Sequence, residues 1–151
     1  MYRIILALVV AASVVACSGK PDHMGVAVNG ERLAVVDIHL HTGTWDGSPP
    51  RFQERLSSRV PTGFKWTMKL FMDNNLKGES ILAQLDGAGI HGGAVYALWS
   101  PVTTGIATNE YVAEQIAVAP DRLFGFASLR VDHWNQNGRE ELQKMEDAIQ
   151  E

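Results

Sequence analysis

The residues best suited to chemistry are Asp37, His39 and His41, which occupy alternate positions directly after the apolar pair Val35-Val36. Alternate residues of a β-strand point to the same face, so a strand here would present three metal-capable side chains together. Two neutral imidazoles two residues apart can bind one divalent ion, and Asp37 could be a third ligand or could fix a histidine tautomer. The alternative is a strand end with two half-exposed histidines and a turn-forming aspartate.

The sequence around these residues favours the metal site over that alternative. The β-branched pair Val35-Val36 predicts a strand that is buried on both faces, with Ile38 and Leu40 on its apolar side. Polar side chains on a buried strand are costly unless something satisfies them. Thr42-Gly43 then begins a loop, as expected after a strand that ends in a site.

The segment Val36-Asp37-Ile38-His39-Leu40-His41 resembles the first strand of the amidohydrolase superfamily, in particular its amidohydrolase-related (amidohydrolase 2) branch. The resemblance implies a (β/α)8 barrel whose metal site lies at the C-terminal ends of the strands, with the His-x-His pair on the first. It also implies a divalent metal ion, zinc in the first place, a small-molecule substrate, and hydrolysis of C–N or ester bonds by a metal-activated water. Some members of the branch are metal-dependent decarboxylases instead, so that reaction stays open.

The rest of the chain predicts alternating helices and strands, an order typical of parallel βαβ units. Gly89 is predicted to cap the first helix and Thr108 to begin the second. The segments 82–90 and 93–95 also resemble the family's first helix and second strand. His91, between them, is interpreted as a surface residue. We predict strands over 94–98 and 123–129, and helices near 81–88, 108–119 and 142–149.

Two connections on this path could contribute to a site. The segment from Thr42 to about Asn75 is rich in glycine, proline and aromatic residues, and it is predicted to be mostly loop. It is either a lid over a substrate pocket or a packed insertion. His133 and Trp134, after the third strand, could touch a substrate or could simply pack on the surface.

The predicted fold class is α/β: the N-terminal part, about three βα units, of a (β/α)8 TIM barrel, incomplete, over residues 33–151. A barrel of this type takes roughly 250 residues. In the family, the remaining metal ligands and a late aspartate that acts as general acid or base come from later strands. We therefore assign no catalytic residue here. The alternatives are a non-catalytic binding lipoprotein that pairs with a partner or forms a homo-oligomer, and a remnant that does not fold.

The first residues predict export and lipid anchoring. Residues 1–16 have a basic start and an apolar core, and Val15-Ala16-Cys17 resembles a bacterial lipoprotein signal cut before the single cysteine. Cys17 would then carry lipid, residues 17–32 would form a tether, and the domain would lie in the cell envelope, facing the periplasm or the exterior. A plain secretory signal is the alternative. The net charge of -4 argues against nucleic-acid binding.

Overall fold

The computed structural model describes residues 24–132 and 134–150, which form a mixed α/β fold. The elements alternate along the chain, and short hairpins and one 3-10 turn (Thr62–Phe64) lie between them. The strands are β1 (Val26–Val28), β2 (Glu31–Leu33), β3 (Val36–His41), β4 (Gly92–Tyr96), β5 (Leu98–Ser100), β6 (Gly105–Ala107) and β7 (Leu123–Phe126). The helices are α1 (Pro50–Ser57), α2 (Trp66–Asn75), α3 (Gly78–Ala88), α4 (Asn109–Ile116) and α5 (Trp134–Gln150).

The central sheet contains three parallel strands in the order β3-β4-β7, which is also their order in the chain. Parallel neighbours need a crossover connection, and here α3 precedes β4 and α4 precedes β7. The prediction of parallel βαβ units is therefore confirmed. The described residues do not form a closed barrel.

One face of this sheet is packed against α3 and α4. Ile81 and Leu85 of α3 and Val112 of α4 form the core together with Val95 of β4 and Leu123 of β7. Val95 and Leu123 are almost wholly inaccessible, at 0% and 1%. Both crossover helices therefore pack on the same face of the sheet. In a doubly wound sheet, by contrast, helices cover both faces.

The opposite face of the sheet, which we call the open face, is largely uncovered by the described residues. It is made by Val36, Ile38, Phe124 and Phe126, all of which are exposed, Ile38 at 73%. The prediction that β3 is buried on both faces, with Ile38 against an apolar layer, is therefore wrong for this part of the chain. Leu40 alone of that pair packs against the core.

The N-terminal end of the sheet is tied together by hydrogen bonds. The Val35 N–H donates to Nδ1 of His91 over 3.2 Å, and the His91 N–H donates to the Val35 carbonyl over 2.8 Å. Arg122 Nε donates to the His91 carbonyl and Arg122 also pairs with Asp86 at 2.7 Å. His91 is half-buried and joins two strands, so its interpretation as a surface residue is wrong.

A two-stranded hairpin, β1-β2, precedes the sheet and occupies the end of the segment 17–32 that was predicted to be a tether, extending one residue beyond it to Leu33. Asn29 and Gly30, both with positive φ, form its turn, a pairing that favours tight hairpins. The Gly25 N–H donates to the Gly89 carbonyl over 2.7 Å. From Gly25 onwards the chain is therefore attached to the domain. Residues 1–16, Cys17 and the rest of the predicted tether up to residue 23 lie outside the described residues.

The helix caps predicted from the sequence are present. Gly89 ends α3 in the left-handed conformation, with φ of 72°, and the Thr108 side chain accepts a hydrogen bond from the Tyr111 N–H at the start of α4. The connection between β3 and α3 is not mostly loop, because α1 and the ten-residue α2 occupy much of it. None of the helices described combines the length and apolar character that crossing a bilayer requires.

Candidate metal centre

A β-bulge interrupts β3 between Asp37 and Leu40. Asp37 pairs with Gly93 and Leu40 with Val95, so Ile38 and His39 together lie opposite a single residue of β4. The Asp37 carboxylate stabilises the bulge, because its Oδ1 accepts a hydrogen bond from the His39 N–H over 2.9 Å. The extra residue shifts the alternation of side chains along the strand.

His39 and His41 lie side by side at the C-terminal end of β3. Their Nε2 atoms are 3.0 Å apart and the ring centroids are 4.9 Å apart in an edge-on arrangement. Both side chains are exposed. Two nitrogens that bind one tetrahedral zinc at about 2.0–2.1 Å lie about 3.3 Å from each other. The observed separation is thus close to the one that two ligands of a single zinc ion require.

Two aromatic rings support this pair from the neighbouring strands. His41 pairs in register with Tyr96 of β4, and Tyr96 pairs with Phe126 of β7. Tyr96 stacks on His39 with centroids 5.3 Å apart and on Phe126 with centroids 4.8 Å apart. Rings of this size restrict the orientations that the His39 imidazole can adopt. Neither aromatic residue was predicted to belong to the site, although their positions within two predicted strands were a usable signal.

Asp37 does not join the two imidazoles on one face. It pairs with Gly93, which lies on the helix-covered side of β4, whereas Tyr96, the partner of His41, lies on the other side. The predicted common face is therefore wrong for Asp37, because the bulge breaks strict alternation. Among the residues that the structure describes, no group of three His, Cys, Asp or Glu side chains is placed to hold a metal.

A cavity of about 240 Å³ adjoins the histidine pair, with His41 in its wall. Side chains from the connection after β3 and from the β5-β6 hairpin form the rest of it, and the lining is mainly apolar. The two walls meet where the Ile106 N–H donates to the Gly47 carbonyl over 2.9 Å. The connection from Thr42 therefore forms part of the wall of a pocket, and its role as a lid over a substrate stays a prediction.

Polar contacts hold this connection in place. Asp73 of α2 accepts the Trp45 N–H over 2.8 Å and pairs with Lys69 at 2.9 Å. The Trp45 N–H, followed by the Lys69 ammonium, lowers the pKa of the Asp73 carboxyl below its usual value. Lys69 also pairs with Asp46 at 2.9 Å, and both carboxylates raise the pKa of its ammonium. The Thr42 hydroxyl donates to the Leu76 carbonyl.

A second group of polar residues lies beyond β7. The Arg130 guanidinium stacks over Trp99, 4.6 Å from the ring centroid, and donates to the Asp132 carboxylate over 2.8 Å. Trp99 Nε1 also donates to Asp132 over 3.0 Å. These residues satisfy one another. His133 lies outside the described residues, and Trp134 begins α5.

The fold and the site together define a one-sided parallel α/β unit with a histidine pair at the C-terminal end of its first strand. No family model, curated protein or solved structure matches this chain. Its function must therefore be argued from the residues themselves.

Proposed function

We propose that this chain forms the N-terminal βα units of a metal-dependent hydrolase of the amidohydrolase type. The observation that carries the proposal is the 3.0 Å separation of His39 Nε2 and His41 Nε2 at the C-terminal end of β3. Ligands of open α/β sheets and of barrels bind at this end of the strands. Imidazole nitrogens are ordinary ligands of zinc and related divalent ions.

The winding of the sheet supports the barrel part of the proposal. Both crossover helices pack on one face, and the open face is apolar. In a (β/α)8 barrel that face would be the packed interior, where further strands cover it. An exposed apolar face on three adjacent parallel strands is thus what the first units of a barrel would present.

The histidine pair fits a metal but does not complete its coordination. Catalytic zinc sites use three protein ligands and keep one position open. In the proposal, His39 and His41 supply two ligands, Asp37 supports the backbone of His39, and the remaining ligands come from later strands. A bound divalent ion would lower the pKa of a coordinated water and would polarise a carbonyl. Tyr96 would hold the His39 ring in position by stacking.

Zinc titration of the purified chain tests the site. We expect the protein to bind one zinc ion per chain, and we expect His39→Ala or His41→Ala to weaken that binding by at least tenfold, because each removes one of two ligands. His91→Asn is the matched control: it removes a histidine at the other end of the sheet and keeps a side-chain acceptor for the Val35 N–H. Equal zinc binding by wild type and both alanine variants would show that the pair is not a metal site.

A pair of substitutions at Asp37 separates its two possible roles. Asp37→Asn keeps an oxygen that can accept the His39 N–H, whereas Asp37→Ala does not. As a positioning residue, Asp37 should tolerate asparagine and lose zinc affinity about 10- to 100-fold with alanine, the range found for groups that orient ligands. Equal losses in both variants would indicate a direct ligand instead.

The same site would serve a decarboxylase of this branch. A screen of the zinc-loaded protein against amides, esters, lactones and carboxylic acids therefore assays carbon dioxide release as well as hydrolysis. Hydrolysis that is lost in His39→Ala supports the primary proposal, and carbon dioxide release that is lost in the same variant supports the alternative.

A further inference from the structure

The cavity beside His41 is lined mainly by apolar side chains, and its polar lining consists of His41 and a few hydroxyl groups. Phe52 of α1, Met72 of α2 and Leu76 contribute from one side, and Leu98 and Ile106 of the β5-β6 hairpin contribute from the other. His41 lies at the end where β3 stops.

Three of the four hydroxyl groups in the lining, those of Thr42, Thr44 and Ser48, are already engaged with the backbone, and Thr104 carries the fourth. The Thr42 hydroxyl donates to the Leu76 carbonyl, and the Ser48 hydroxyl donates to the Thr44 carbonyl over 3.2 Å. The Thr44 hydroxyl accepts the Gly47 N–H over 3.0 Å. A polar group placed here would gain few hydrogen bonds and would lose its contacts with water, so the cavity disfavours polar groups.

The size of the cavity limits what it can hold. An apolar cavity of about 150 Å³ binds benzene. The volume here is about 240 Å³, enough for one ring with a few additional heavy atoms. A compact apolar group would exchange water for contacts with Phe52, Met72, Leu76 and Ile106.

From these observations we infer that the cavity binds a compact apolar group, a phenyl ring or a branched alkyl chain, of a substrate whose carbonyl or carboxylate lies at His39 and His41. The placement of the carbonyl or carboxylate at His39 and His41 rests on the proposed function. The placement of the apolar group rests on the cavity alone. The substrate class is thus an acyl compound with an aryl or bulky alkyl group on a short linker.

Isothermal titration calorimetry with 3-phenylpropionate and propionate tests separately whether the cavity binds a ring and whether the histidine pair binds a carboxylate. The two probes share a carboxylate and differ by the ring. We expect 3-phenylpropionate to bind at least tenfold more tightly than propionate, since burying a ring of this size is worth that factor or more. Added zinc should strengthen the binding of both probes and leave their ratio unchanged.

Two substitutions change the volume of the cavity in opposite directions. Ile106→Phe should fill it and reduce the preference for 3-phenylpropionate at least tenfold, whereas Val102→Phe, on the exposed turn of the same hairpin, should not. Met72→Ala should enlarge the cavity and shift preference toward 3-(2-naphthyl)propionate. Thermal unfolding of each variant establishes that it is folded, and either substitution can carry the test if the other unfolds.

The outcomes distinguish the pocket from the metal site. If Ile106→Phe abolishes the preference for 3-phenylpropionate and zinc has no effect on either probe, the cavity binds the apolar group. The carboxylate would then not bind at His39 and His41. Zinc binding by the histidine pair with equal affinity for both probes would overturn the pocket and leave the proposed function intact. Unchanged preference in both Ile106→Phe and Met72→Ala would place the ring elsewhere and overturn the inference.

Discussion

At the scale of single residues, the extra residue in β3 decides what the site can do. Strict alternation would place Asp37, His39 and His41 on one face, each two residues from the next. The bulge instead leaves Asp37 on the helix-covered side, where its carboxylate accepts the His39 N–H, while the two imidazoles stay on the other side with their Nε2 atoms 3.0 Å apart. One inserted position thus separates Asp37 from the histidine pair and leaves it in contact with the backbone of His39.

Asp73 of α2 holds the connection after β3 through the Trp45 N–H, and we expect its contribution to the free energy of unfolding to depend on pH. Its pKa is lowered in the folded protein, so folding favours its ionised form. Its contribution to stability is therefore present above the ordinary aspartate pKa of about 3.9 and is lost as the pH falls through the lowered value. We expect Asp73→Ala to cost about 1–2 kcal/mol at pH 7, near the lower end of what hydrogen bonds to charged groups contribute, because the carboxylate is partly exposed.

Urea unfolding at pH 7, pH 5 and pH 3 measures this dependence. The difference between wild type and Asp73→Ala should be similar at pH 7 and pH 5 and smaller at pH 3. Asp46→Ala is the matched control, because Asp46 shares Lys69 but is highly exposed and accepts no backbone N–H from Trp45. A difference that stays constant down to pH 3 would show that the ionised Asp73 does not stabilise the connection.

At the scale of elements, two walls of the cavity depend on a close backbone approach. Gly105, at the start of β6, has φ of 132°, and a Cβ there would lie 2.7 Å from the Gly47 carbonyl oxygen. We expect Gly105→Ala to lower the free energy of unfolding by about 1–3 kcal/mol, through backbone strain and this clash. The cavity should open as the hairpin moves away from Gly47.

Gly87 gives the contrasting substitution. It lies inside α3, and a Cβ there meets nothing within 4 Å. We expect Gly87→Ala to raise the free energy of unfolding by about 0.5–1 kcal/mol, because alanine favours a helix interior. Chemical unfolding of both variants checks the pair; a stabilising Gly105→Ala or a strongly destabilising Gly87→Ala would contradict the packing described for these positions.

Elements with strong local signals were predictable from the sequence, and elements that depend on distant contacts were not. Gly89 and Thr108 mark helix ends through their own conformation or side chain, and both predictions are confirmed. Asn29-Gly30 is an equally local signal for the β1-β2 hairpin, which was not predicted. The β5-β6 hairpin, by contrast, is fixed by the contact of Ile106 with Gly47, which no local pattern reveals.

The site was predictable to the same extent. The spacing of His39 and His41 was enough to predict that their side chains lie close together, because either a regular or a bulged strand can bring them close. The loss of Asp37 from their face was not predictable, since a bulge depends on the register with Gly93 and Val95. The cavity was also beyond sequence reasoning, because its walls come from five separate elements, β3, α1, α2, β5 and β6.

At the scale of the whole molecule, the open face sets the behaviour in solution. Ile38, Phe124 and Phe126 expose apolar surface on adjacent strands, and such patches bind other surfaces. We expect the purified chain to bind an apolar dye and to associate as its concentration rises. The double substitution Ile38→Lys with Phe124→Lys should reduce both effects several-fold.

Light scattering across a concentration series measures this association. Val102→Lys is the control, since Val102 is 77% exposed but lies on the β5-β6 turn and not on the open face. Monomers of 16.5 kDa at every concentration, without dye binding, would show that the open face is not adhesive and would weaken the idea of a self-pairing lipoprotein.

Gly25, directly before the β1-β2 hairpin, fixes the end of the sheet at which the described chain begins. Gly25 is bonded to Gly89, at the end of the sheet where the strands begin, whereas His39 and His41 lie where β3 ends. A strand of five or six residues separates the two ends by about 17–20 Å. The start of the described chain and the histidine pair therefore lie at opposite ends of the sheet.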